Sequence, residues 1–202
     1  EGSGARGLIM GEPEPAMEAL ARDLPLEQSP GLAFLQDGRL AFGPHRQALD
    51  LASLPVPALD LAPPPHYRYE LLGERLALLE TSRGCARACA FCLKVMYGPG
   101  LRGKDAQQVL EEARVAASLG ARSVYFMDLD FAARPQTALE TCRRLAGAGL
   151  GLRWCCQARA DNLSRELVAA MRLAGCRLIH LGVESAAPEL LGAVGKGQGL
   201  EQ

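Results

Sequence analysis

From Glu70 onward the chain alternates short apolar runs with amphipathic segments of helical period, and that repeat leaves few folds open. The runs Arg75–Thr81, Ser123–Asp128, Leu152–Ala158 and Arg177–Glu184 are continuously apolar rather than alternating, as parallel strands covered on both faces are. Between them Asp105 is placed to cap a helix with Val109, Ala113 and Ala117 on one face. Pro135 opens a second helix, with Leu139, Cys142 and Leu145 inward. Ser164 caps a third that turns Leu167, Met171 and Ala174 inward and stops at Gly175. Four β-α units in series predict right-handed crossovers and a parallel sheet, an α/β fold.

The first 70 residues have a different texture, rich in Pro and Gly. A short strand is expected at Arg6–Met10 and a short helix around Pro15–Arg22. A hairpin is expected where Leu32–Leu35 and Arg39–Phe42 flank Gln36-Asp37-Gly38. Residues 48–66 read as an extended linker. The boundaries expected are 1–24, 25–69 for hairpin and linker, and 70–202 for the α/β core.

Polar residues collect where each predicted strand ends: Thr81 and Ser82, then Asp128 and Asp130, then Gln157, Arg159 and Asp161, then Glu184 and Ser185. Parallel α/β proteins bind ligands at this carboxyl edge. Capping and solvation explain any one of these residues, but account less well for all four edges together. The first strand runs straight into Thr81-Ser-Arg-Gly-Cys85-Ala-Arg-Ala-Cys89-Ala-Phe91-Cys92. Three thiols at Cys-x3-Cys-x2-Cys can converge on one metal centre, and thiolate suits an iron–sulfur cluster or zinc. Structural zinc normally takes four protein ligands, and no second Cys-x2-Cys pair exists. Cys155 and Cys156 are adjacent, so a strand would send them to opposite faces. Three ligands leave a fourth corner open to a substrate. Arg83, Arg87 and Lys94 supply positive charge that favours thiolates. A zinc knuckle borrowing a His, or inert thiols, remain as alternatives.

Composition narrows the class of partner. The 202 residues carry a formal charge of −1, which argues against a nucleic-acid groove or a polybasic membrane patch. No apolar run approaches the roughly 20 residues needed to span a bilayer, and Glu1-Gly-Ser-Gly lacks the layout of a secretory signal. Seven cysteines, an odd number with three in one loop, point to a reducing compartment, by default the cytoplasm.

The cysteine loop resembles that of the radical S-adenosylmethionine superfamily, whose pattern is Cys-x3-Cys-x-aromatic-Cys. Ser123-Val-Tyr-Phe-Met-Asp128-Leu-Asp130 is similar to the second strand of that family, Arg159-Ala-Asp161 to the end of its third, and Gly175–Ser185 to its fourth. Lys196 sits where many members carry a lysine. The resemblance covers about residues 70–202 and implies a partial (β/α) barrel of about four units, where the family usually has six. The chain is therefore expected to be part of a longer protein, and turnover by it alone is not expected.

The same resemblance implies a 4Fe–4S cluster on Cys85, Cys89 and Cys92. Its open iron would chelate S-adenosylmethionine, and an external flavodoxin- or ferredoxin-like donor would supply the electron that releases a 5′-deoxyadenosyl radical toward a small-molecule substrate. It suggests cofactor contacts from Phe91 (adenine), Asp128 (amino group), Arg159 (carboxylate), and Glu184 and Ser185 (ribose or amino acid moiety). His180 reads as a satisfied core residue. Gly11-Glu12-Pro-Glu14, the Pro30-Gly31-Leu32 hairpin and Leu54-Pro55 loosely resemble the stretch joining a cobalamin-binding domain to such a barrel, with residues 1–24 as that domain's tail. The Asp-x-His-x-x-Gly motif is absent, so cobalamin enters only through an upstream domain. Cobalamin-linked methylation or rearrangement of a small molecule is the expectation. Methylthiolation of tRNA or protein, or a non-catalytic metal-binding fragment, are the alternatives.

Overall fold

A computed structural model describes residues 4–45, 48–93, 97, 100–199 and 201. They divide into two compact units, one holding the described residues of 1–50 and 93–99, the other 51–92 and 100–202. In the first, β1 (Gly7–Ile9), β2 (Leu32–Gln36) and β3 (Arg39–Phe42) form an antiparallel sheet in that order, with helix α1 (Glu14–Ala21). The turn joining β2 to β3 is the expected Asp37-Gly38, both at positive φ, as a twisted two-residue hairpin turn requires. Ala16, Ala19, Leu32, Ala33 and Phe34 are buried. Buried Glu12 accepts a bond from the Leu49 N–H at 3.4 Å.

The second unit opens with a small hairpin, β4 (Arg68–Tyr69) and β5 (Gly73–Glu74), followed by β6 (Leu76–Leu79). A second hairpin, β7 (Ser82–Cys85) with β8 (Gly100–Gly103), precedes α2 (Ala106–Ser118). Then come β9 (Ser123–Phe126), α3 (Pro135–Ala148), β10 (Arg153–Ala158), α4 (Arg165–Leu173), β11 (Cys176–Leu181) and α5 (Pro188–Ala193). The sheet order is β11-β10-β9-β6, every pair parallel. This is the expected α/β architecture, a partial barrel. No closed barrel forms among the described residues.

The helix signals hold. Asp105 accepts from the Gln108 N–H at 2.8 Å and Ser164 from the Leu167 N–H at 3.1 Å, satisfying first-turn donors that have no helical partner. Val109, Ala113, Cys142, Leu167 and Met171 are buried against Val124, Phe126, Trp154 and Cys156 of the sheet. Phe126, Phe131 and Trp154 meet with centroids 5.1–5.4 Å apart, and the Trp154 indole N–H is satisfied by the Ala174 carbonyl at 2.8 Å.

Three expectations need correction. All four core strands are shorter than read: Thr81 and Asp128 leave the ladder to bond each other through their side chains, the third strand starts one residue late at Arg153, and Glu184, with a φ of 61°, lies beyond the end of the fourth. Nor, among the described residues, are both sheet faces fully covered. Among the described residues, the face opposite the helices carries a small cluster of Leu72, Leu76 and Cys155 with Tyr69, Tyr125 and Leu178, and Leu78 is 52% exposed there. Cys155 and Cys156 do fall on opposite faces. Finally, the segment read as a linker is packed from Leu51 onward. The Gln108 side chain donates to the carbonyls of Leu51 and Leu54 at 2.9 and 3.3 Å, and Leu59 lies against the core. The second unit begins at Leu51.

Candidate functional site

The site is built at the carboxyl edge of the sheet. β6 runs through Glu80 and Thr81 into β7, and β7 pairs antiparallel with β8 from Ser82↔Gly103 to Cys85↔Gly100. The sequence reading did not foresee this hairpin. Gly84 makes it close: its φ is +83°, and a Cβ there would collide with the Gly100 carbonyl. Cys85 ends β7, and Cys89 and Cys92 follow on the loop beyond it.

Cys85 and Cys89 are half-buried and Cys92 is exposed; all seven cysteines of the chain are outside disulfides. The Arg87 N–H donates to the Cys85 sulfur at 3.4 Å, and the Cys92 N–H to the Cys89 carbonyl at 3.1 Å. The Ala90 N–H donates to the Val194 carbonyl at 2.9 Å, tying the loop to the segment after α5. From that segment the Lys196 ammonium lies 5.7 Å from the centre of the Phe91 ring, which is 53% exposed. Lys94 lies outside the described residues. Among the described residues no three His, Cys, Asp or Glu side chains converge on a common metal position. The three sulfurs thus share one loop without being drawn together.

Around the loop the strand-end residues form a charged rim. Arg159, after β10, grips Asp161 with Nε–Oδ1 at 2.8 Å and Nη2–Oδ2 at 2.9 Å, and Nη2 also donates to the Lys196 carbonyl at 2.8 Å. Arg87 reaches the same Asp161 at 3.2 Å. The hydrogen bonds that Arg159 donates to Asp161 push its pKa above the ordinary value, against the opposing effect of burial. Burial works to raise the Asp161 pKa, but Arg159 and Arg87 together hold it below the usual carboxylate range. Lys196 Nζ donates to Glu184 Oε1 at 2.9 Å. Gly182 leaves room for that pair, since a Cβ there would lie 2.8 Å from both atoms. Ser185 Oγ accepts from the Ala187 N–H at 3.0 Å.

Beneath the rim the polar groups are sealed. Asp128 is wholly buried and accepts from the Thr81 N–H (3.0 Å), Thr81 hydroxyl (2.6 Å) and Ser82 hydroxyl (2.6 Å). Burial raises its pKa, opposed by those bonds. The expected contact with a cofactor amino group does not match this geometry, because both oxygens are engaged and none of the side chain reaches the surface. Asp130, 3% exposed, accepts from the N–H groups of Ala132 (3.2 Å) and Arg159 (3.3 Å) and from Asn162 at 2.6 Å. Lys104, just after β8, is 2% exposed and bonds both oxygens of fully buried Glu112 at 2.7 and 2.9 Å. It also lies 3.8 Å from Glu80, which holds Arg83 at 2.6 Å. Lys104 and Glu112 were missed from the sequence. Glu112 was findable, since it falls on the same helical stripe as Val109 and Ala116. His180 is satisfied as expected, 3.3 Å from the Tyr69 hydroxyl and stacked on Tyr125 at 5.8 Å.

The fold is thus an α/β protein with a three-thiol loop at the carboxyl edge of a parallel sheet, beside the charged side chains of Arg87, Arg159 and Lys196. Residues 79–202 match the Radical SAM superfamily, and the chain belongs to it. It is 28% identical over 184 residues to the uncharacterized methyltransferase PH0819 of Pyrococcus horikoshii, covering 90% of this chain and 40% of that protein. It is 32% identical over 121 residues to the bacteriochlorophyllide d C-12(1)-methyltransferase of Chlorobaculum tepidum, covering 57% of this chain and 26% of that one. The fold superposes on the cobalamin-dependent S-adenosylmethionine radical enzyme OxsB, solved with aqua-cobalamin and S-adenosylmethionine, with a TM-score of 0.76 at 22% identity over 95% of this chain and 30% of that one. The chain thus spans less than half the length of each of these proteins. No helix among the described residues is long and apolar enough to cross a membrane.

Proposed function

We propose that this chain is the cluster- and cofactor-binding part of a radical S-adenosylmethionine methyltransferase that modifies a small molecule, with cobalamin held by an upstream domain. One observation carries the reading: Cys85, Cys89 and Cys92 share a hairpin tip that a rim of Arg87, Arg159 and Lys196 surrounds. The residues fit a 4Fe–4S cluster by donor chemistry, three thiols outside disulfides with cations and a backbone N–H near the sulfurs. Such a cluster, when bound and reduced, supplies the electron that opens the sulfonium bond of S-adenosylmethionine.

The chain's own residues bind, orient and shield. Phe91 offers an open ring face to adenine. Lys196 stands between Phe91 and Glu184, so a cofactor carboxylate drawn to the ammonium would release Glu184 to accept hydrogen bonds from the ribose or amino group. Arg159 is fixed by Asp161 and shapes the charge of the rim, contacting a carboxylate with whatever donors Asp161 leaves. Ser185 orders the turn into α5. Residues 1–24 continue the cobalamin-binding domain. The cytoplasm suits reduced thiols, and a flavodoxin- or ferredoxin-like donor suits the low potential this chemistry needs.

Anaerobic reconstitution with iron and sulfide tests the reading. A brown cluster whose electron paramagnetic resonance (EPR) spectrum changes on adding S-adenosylmethionine supports it. Tight stoichiometric zinc with no chromophore contradicts it, as does a spectrum the cofactor leaves unchanged.

A further inference from the structure

The hairpin that carries the cysteines is fastened at its base by two buried carboxylates on different elements. Asp128, at the end of β9, takes three hydrogen bonds from Thr81 and Ser82, where the chain enters β7. Glu112, on α2, takes two from Lys104, where the chain leaves β8. The two attachment points are bonded to each other, the Lys104 N–H donating to the Thr81 carbonyl at 2.9 Å, and the Arg134 guanidinium holds the Lys104 carbonyl at 2.8 Å. Glu80 bridges the two sides, 2.6 Å from Arg83 and 3.8 Å from Lys104.

Apolar packing would have sealed this base without the cost of burying carboxyl groups and an ammonium. A directional network does something packing does not: it fixes the rotation and register of the emerging strands, and hence where their tip points. We propose that Asp128 and the Lys104–Glu112 pair are positioning residues, which aim the cysteine loop so that its metal centre meets S-adenosylmethionine correctly. This rests on the cluster reading above and assigns to Asp128 a role other than cofactor contact. Neither carboxylate touches a cysteine; each acts through the strand it holds.

The test compares reconstituted wild type with Asp128→Ala, Asp128→Asn and the apolar swap Lys104→Met/Glu112→Leu, using Arg143→Ala in an exposed ion pair as control. Iron per chain, thermal melting by circular dichroism, and the EPR response to titrated S-adenosylmethionine are read for each. All variants keep their iron, because the three thiols are untouched. In Asp128→Ala the cofactor concentration giving half the spectral change rises about 10-fold, equivalent to about 1.4 kcal/mol of binding. Asp128→Asn recovers part of this, since hydroxyls can turn to meet an amide. The apolar swap melts near wild type yet responds weakly to cofactor, separating aim from stability. A wild-type response in Asp128→Ala or in the swap, both folded and iron-loaded, overturns the proposal. If wild type itself takes up no cluster, the functional reading fails instead.

Discussion

The base and the rim of the cysteine hairpin use the same kinds of side chain in opposite ways. At the base Asp128 and Glu112 are wholly buried, with every oxygen matched to a donor. At the rim Arg159 and Lys196 are themselves buried, but Glu184 is 40% exposed, Arg87 is 45% exposed, and Phe91 is half in solvent. Buried networks have one good arrangement, whereas exposed pairs exchange partners at little cost. On the proposed function, a site that aims a metal centre and still admits a charged cofactor needs both kinds of region. The boundary between them runs along the strand ends.

The comparison breaks most easily at the base. Lys104→Met leaves Glu112 buried without its cation, and denaturant unfolding should show a loss of about 3–5 kcal/mol. An unchanged midpoint would mean the base is not the rigid region. Asp130→Ala, which strips acceptors from Ala132, Arg159 and Asn162, should cost about 1–3 kcal/mol. At the rim Glu184→Gln should cost under about 1 kcal/mol while weakening S-adenosylmethionine binding. Equal stability losses at Glu184 and Lys104 would erase the distinction.

Acid titration sharpens it, because Asp128 and Asp161 shift in opposite directions. Burial raises Asp128, so its contribution is fully present below the unfolded aspartate value of about 3.9 and is lost as pH rises through the folded value. Asp161 is held low by Arg159 and Arg87 against its own burial. Its contribution is present above that same unfolded value and is lost as pH falls through the folded one. In unfolding measured from pH 2 to 7, Asp161→Asn should flatten the acid limb and Asp128→Asn the opposing slope. Identical profiles in both variants would contradict the assignment. The smallest effect is expected at the exposed Arg143–Glu166 pair, about 0.2–1 kcal/mol or less for Arg143→Ala.

Local pattern carried much of this to the level of sequence. The apolar runs and caps from Asp105 to Gly175 are short-range signals, and the structure realises them within a few residues. The cysteine spacing and the strand-end segments pointed to the family, which the match over residues 79–202 bears out. What stayed hidden depends on pairing over distance. Ser82–Cys85 and Gly100–Gly103 contain none of the β-branched or aromatic residues that mark strands, and their ladder spans an intervening loop. Asp128 read as a strand-end acid because nothing local reveals that Thr81 and Ser82 fold over it. Glu184 read as part of a strand because a positive φ at a non-glycine residue leaves no trace in composition.

The central claim is that Cys85, Cys89 and Cys92 together hold an iron–sulfur cluster. Each can be replaced by alanine in turn, with Cys142→Ala as the buried control, and iron, sulfide and the visible chromophore measured after anaerobic reconstitution. The account predicts that any one of the three substitutions abolishes the stable brown cluster while Cys142→Ala retains it. Colour and iron surviving all three would contradict it.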